Sequence, residues 1–152
     1  MRKLFPLFII ILISFSCSTL TGEEVGRLKI NELSPENHLV IKEATLDLKK
    51  GDEIGIWSDI DIEYENDIAL RFRIGVNKDG QQHGRFEIDP FEKNITIGEL
   101  KTSVLGKTDW RFMGKNTKIK IDEDGEYTFK GLLVASDNPS LKITKAEIVL
   151  KK

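Results

Sequence analysis

From Arg27 to the C-terminus, apolar and polar residues alternate in short runs, and turn-forming clusters interrupt them about every 8–12 residues. The pattern predicts strands over Arg27–Glu32, Leu39–Asp47, Glu53–Tyr64, Ile68–Val76, Arg85–Asp89, Ile95–Leu100, Asp109–Met113, Lys118–Ile121, Glu126–Ala135 and Leu141–Leu150. Turns fall at Lys49-Lys50-Gly51-Asp52, Asn77-Lys78-Asp79-Gly80, Asp122-Glu123-Asp124-Gly125 and Ser136-Asp137-Asn138-Pro139, where Gly, Asn and Asp tolerate the backbone angles of tight reversals. No window of helical length carries an apolar stripe at a 3.6-residue period. The prediction is an all-β chain, a single antiparallel β-sandwich over residues 27–152.

Within that frame some local arrangements follow. Ile60, Ile62 and Tyr64 alternate with Asp59, Asp61 and Glu63, and beyond Glu65-Asn66-Asp67 the residues Ile68, Leu70 and Phe72 alternate with Arg71 and Arg73. A three-residue hairpin loop would pair these segments, with one apolar face and the pairs Asp61–Arg71 and Asp59–Arg73 on the other. The segment ending Leu132-Leu133-Val134-Ala135 is apolar on both sides, which predicts a central strand. In the last segment Leu141 and Ile143 set one parity and Ala146, Ile148 and Leu150 the other, so a bulge near Thr144-Lys145 is expected. Trp110 and Phe112 share one parity and are assigned to the core. Trp57 has the parity opposite to Ile54, Ile56, Ile60 and Ile62. An unbroken strand places it on the outer face, where an indole could serve a sugar ring or a protein partner; a bulge or a covering neighbour would bury it.

The N-terminus differs in kind. Arg2 and Lys3 precede an apolar run from Leu4 to Ile13, shorter than the ~20 residues a membrane-spanning helix needs. Small residues then lead into the only cysteine, as Ser14-Phe15-Ser16-Cys17. This arrangement resembles the signal peptide and lipobox of bacterial lipoproteins. Ser16 fits the family's small-residue rule, and Ser14 stands where Leu is usual, with an aliphatic residue one step earlier at Ile13. The resemblance implies a signal peptide over 1–16 and acylation of Cys17 as the membrane anchor. It also implies a polar tether over 17–26, with Ser18 matching the outer-membrane sorting pattern. A body without further cysteine has no internal disulfide and depends on packing. Over residues 40–150, phrases such as Lys50-Gly51-Asp52-Glu53-Ile54 and Asp124-Gly125-Glu126-Tyr127 resemble jelly-roll sandwiches of exported bacterial proteins, carbohydrate-binding modules among them.

Charge and chemistry narrow the function. With 23 basic and 25 acidic side chains the net charge is −2, which gives nucleic-acid binding no electrostatic support. The two histidines, His38 and His83, sit in polar loops, and no Gly-x-Ser-x-Gly elbow, zinc-ligand spacing or phosphate-cradling glycine loop occurs. Asp59, Asp61, Glu63 and Glu65 recur at every second position. A straight strand does not wrap six to eight oxygens around a calcium ion, so they are expected to form a solvated face paired with Arg71 and Arg73. The expectation is a non-enzymatic, cofactor-free envelope protein that acts as a protein–protein interaction module. The alternative is a glycan-binding module. In either case Trp57, Asp59, Asp61, Arg71 and Arg73 form the candidate binding face.

Overall fold

The computed structural model describes residues 21–152. The leader and Cys17 lie outside the described residues. Nine strands follow one another: β1 (Glu24–Lys29), β2 (Lys42–Leu48), β3 (Glu53–Glu65), β4 (Leu70–Lys78), β5 (Gln81–Ile88), β6 (Ile95–Val104), β7 (Lys107–Lys120), β8 (Gly125–Ala135) and β9 (Lys142–Lys151). They form two antiparallel sheets, a five-stranded one in the order β1-β9-β3-β7-β6 and a four-stranded one in the order β2-β8-β4-β5.

Apart from β6 the pairings are nested. β4 pairs β5, β3 pairs β7, β2 pairs β8 and β1 pairs β9. This is a long hairpin rolled up so that successive pairs fall in alternate sheets, the jelly-roll arrangement. β6 is the additional strand. It hangs on the edge of the five-stranded sheet with β7 as its one neighbour.

The expected hairpin between β3 and β4 does not form. The two strands lie in different sheets, β3 between β7 and β9, β4 between β5 and β8. Their alternation is present, but the apolar faces meet across the sandwich instead of sharing a ladder. Ile60, Ile62 and Tyr64 of β3 and Leu70, Phe72 and Ile74 of β4 are all in one buried core. Burial drives this choice, because two sheets facing each other cover both apolar surfaces, whereas a flat hairpin leaves one side wet.

The bulge in the last strand is where parity demands it. Asp61 pairs Lys145 and Ile62 pairs Ile143, leaving Thr144 as the extra residue. A second bulge explains why two predicted strands are one. β7 runs unbroken across the gap expected between Met113 and Lys118, but Ile56 pairs Thr117 while Trp57 pairs Lys115, so Asn116 is extra. The parity of Trp110 and Phe112 thereby passes to Ile119 and Ile121. The Asn116 side chain accepts from Ser58 Oγ at 2.6 Å and donates to the carbonyls of Asp89 and Glu92 at 3.0 and 2.8 Å, tying the β5–β6 connection to the sheet. As expected, β8 is central, between β2 and β4, and Phe112 is core at 1% exposure.

Candidate functional site

The five expected face residues are not on one face. Trp57, Asp59 and Asp61 point outward from the five-stranded sheet, and Arg71 and Arg73 outward from the four-stranded one, on opposite sides of the sandwich. Each finds other partners. Arg71 pairs with Asp89, and Arg73 Nε donates to Glu87 at 2.7 Å. Asp61 stands in register with Arg111 on one side and Lys145 on the other. Glu63 lies 3.0 Å from Lys107 and 2.9 Å from Lys142. Asp61 is thus flanked by cations of β7 and β9, and Glu63 is ion-paired to a lysine on each of them. Among the described residues no group of three or more His, Cys, Asp or Glu comes together to hold a metal ion.

Trp57 keeps its outward parity yet is 1% exposed. Its indole lies over Gly55, where an added Cβ would sit 2.9 Å from Nε1. Lys151 Nζ stands 4.7 Å above the ring, and the Lys115 stem borders the same gap. A missing side chain at Gly55 makes the seat and two long cationic side chains make the cover. Trp57 offers no stacking platform.

Beside it, Asp59 and Glu147 stand directly opposite one another on β3 and β9, a repulsive arrangement for two nearly buried carboxylates. Arg27 resolves it. One guanidinium nitrogen donates to Asp59 at 2.9 Å and to Glu147 at 2.6 Å, while Nε reaches Glu24 at 2.8 Å. Asn31 Nδ2 donates to the other Glu147 oxygen at 3.0 Å. Burial pushes the Glu147 carboxyl up, but hydrogen bonds from Arg27 and Asn31 outweigh it and hold the group below its ordinary value. The hydrogen bond from Arg27 likewise lowers Glu24. This network is structural.

β6 is the opposite case. Ile95, Ile97, Leu100, Thr102 and Val104 stand in register with Lys115, Met113, Arg111, Asp109 and Lys107, which places them on the same outer face as Trp57. Every residue of the strand is exposed. Ile95 and Ile97 are near 40% exposed, Leu100 55% and Val104 62%, and Leu105 at the hairpin tip is completely bare at 102%. Gly98, at φ +61°, forms a bulge that shifts parity between Ile97 and Leu100 and so keeps the aliphatic column on one side. The tip is a two-residue turn in which Leu105 (φ +50°) and Gly106 (φ +81°) are both left-handed. Asn or Asp is the favoured partner of glycine there, and leucine pays a conformational penalty of order 1 kcal/mol with no burial in return.

On the reverse side of the same hairpin β7 packs through Trp110 while the β6 residues stay exposed. Trp110 stacks on Phe91 at 4.7 Å, donates from Nε1 to Glu99 at 2.8 Å and carries Lys101 Nζ 3.8 Å over its ring. One side of the hairpin is thus held to the domain through Trp110 of β7, and the other presents an aliphatic column beside Arg111 and Lys115, which have no ion-pair partner among the described residues. The sequence pattern missed this surface because the Gly98 bulge breaks the alternation. His38 and His83 are both exposed, but only His38 lies in a loop; His83, expected in the hairpin loop, stands on β5, 3.8 Å from Asp122 and edge-on to Tyr127, because the turn is the shorter Asp79-Gly80. Comparison with protein-family models and with curated proteins finds no match.

Proposed function

We propose that the chain is a lipid-anchored, non-enzymatic interaction module of the cell envelope that holds a protein partner on the outer face of the β6–β7 hairpin. The observation that carries this reading is the bare column Ile95, Ile97, Leu100, Val104 and Leu105 on the one strand added to the jelly roll. Such a patch is of order 500 Å², at the size where an exposed apolar surface marks a contact site. Arg111 and Lys115, which have no ion-pair partner among the described residues, favour a partner whose aliphatic patch is flanked by carboxylates.

The lipid anchor rests on the leader and the Ser14-Phe15-Ser16-Cys17 segment. With an anchor at Cys17, the place where the chain enters the domain would set the orientation of the hairpin. Glu24 pairs Lys151, which pairs Gly55, while the hairpin tip adjoins Lys107, which pairs Glu65. Tip and entry point are separated by the length of β3 from Gly55 to Glu65, roughly 33 Å. A protein tethered through Cys17 would hold its bare tip away from its own bilayer, toward a partner.

Two measurements test the parts separately. Radioactive fatty acid should label the wild type and not Cys17→Ala; equal labelling removes the anchor. A photo-crosslinking amino acid at position 100 in the full chain, activated in native envelope, should trap one discrete protein. The same probe at position 43, on the opposite sheet, should trap none. Identical patterns at both positions would reject the hairpin as the docking surface.

A further inference from the structure

The outer face of the four-stranded sheet carries an open groove of about 700 Å³ whose floor is Gly75. Gly75 lies inside β4 with partners on both sides, Arg85 of β5 and Lys130 of β8. Nothing in the backbone calls for glycine here, since Gly75 is not among the positive-φ glycines, and a Cβ added to it would meet no atom within 4 Å. Glycine in a strand interior costs stability and often marks a place where a ligand or another backbone comes close.

The surroundings of the gap indicate what comes close. In register across three strands, the missing side chain is flanked by Lys130 and Arg85, and Arg73 stands on the same face two residues earlier. Arg73 is engaged by Glu87 and Lys130 lies 3.7 Å from Glu43, whereas Arg85 is bonded to the Gln82 amide and has no carboxylate partner among the described residues. Cations therefore surround a space with room for an anion. The far wall is aliphatic: Leu39 and Ile41, 57% and 48% exposed, stand with Leu132. Ser34 fixes that wall, its hydroxyl donating to the Val40 carbonyl at 3.1 Å and accepting the Val40 N–H at 3.0 Å.

We infer that this groove binds a fatty acid, with the carboxylate over Gly75 between Arg85, Arg73 and Lys130 and the alkyl chain along Leu39, Ile41 and Leu132. Two guanidinium groups suit a planar carboxylate, and Glu87 at the border disfavours a doubly charged phosphate. The site is on the opposite sheet from the β6–β7 hairpin and stands independently of the function proposed for that hairpin.

The test uses the full chain in phosphatidylcholine nanodiscs and a diazirine-bearing fatty acid, with labelled peptides mapped by mass spectrometry. Label is expected on the peptides carrying residues 39–41 and 130–132. Dodecanoate should displace it, and dodecanol and acetate at the same concentration should not. Gly75→Val puts a side chain where the carboxylate would sit, and its Cβ meets no atom within 4 Å, so its melting temperature should not fall while labelling falls at least ~10-fold; Arg85→Gln should lower labelling about tenfold. Leu100→Glu should leave labelling unchanged. Displacement by dodecanol as effective as by dodecanoate, or full labelling of Gly75→Val, would overturn the inference. Displacement by an acidic aliphatic peptide but not by dodecanoate would assign the groove to a polypeptide instead.

Discussion

Trp57 and Leu100 stand on the same outer face of the same sheet, two strands apart, and their fates are opposite. A tryptophan is 1% exposed there, while a leucine is 55% exposed. The difference lies in the neighbours. Trp57 has strands on both sides, a glycine beneath the indole and two lysine stems above it. Leu100 sits on a strand with one neighbour and looks across to Arg111 alone. Outward parity alone does not decide exposure on a sheet. The lengths and charges of the flanking columns do, and an edge strand has half as many.

The sharpest way to break this comparison is Trp57→Ala, expected to cost about 3–5 kcal/mol in urea unfolding because it empties a covered seat. A loss below ~1 kcal/mol would mean that the lysine cover is not a packed environment.

Arg27→Met comes next, at roughly 3 kcal/mol near neutral pH, since it leaves Asp59 and Glu147 opposed without their bridge. Its pH dependence is diagnostic. In the wild type the folded Glu147 carboxyl titrates below its ordinary value of 4.5, so it stabilises the fold above that pH. That contribution disappears as pH falls through the folded value. Without Arg27, burial raises the carboxyl instead, so the gap between variant and wild type should shrink from pH 7 to pH 4. A gap that stays constant would show that the bridge does not carry the ionisation.

On the bare side the effects should be small and of different sign. Leu105→Asn relieves a left-handed leucine and should stabilise the fold by about 0.5–1 kcal/mol while weakening capture of the partner. Leu100→Glu should change stability by no more than ~0.5 kcal/mol and abolish crosslinking from a probe moved to position 104 on the same column. A large loss of stability in Leu100→Glu would make the column part of the fold rather than a docking surface.

Much of the fold was legible because alternation and turn chemistry are local. Segments within a residue or two of β3, β8 and β9 follow from the pattern, as do the central place of β8 and the bulge at Thr144. Strand parity also put Trp57 on the correct face. The candidate site was not legible, and the Gly98 bulge is the main cause. It moves the aliphatic parity from Ile95 and Ile97 to Leu100 and Val104, so no continuous stripe shows in the sequence. The Asn116 bulge likewise split one strand into two.

The all-β class, most strand positions and the apolar side of the unbulged strands follow from the sequence, because those depend on residues one or two apart. Only the tertiary structure decided partners. β3 and β4 face each other across the core instead of pairing; Asp59 is neutralised by Arg27, far away in the chain, and not by Arg73; Trp57 is covered and Leu105 is not. Each of these outcomes turns on which strand lies alongside which. That is settled by burying two apolar faces at once, a requirement of the whole chain that no local window contains.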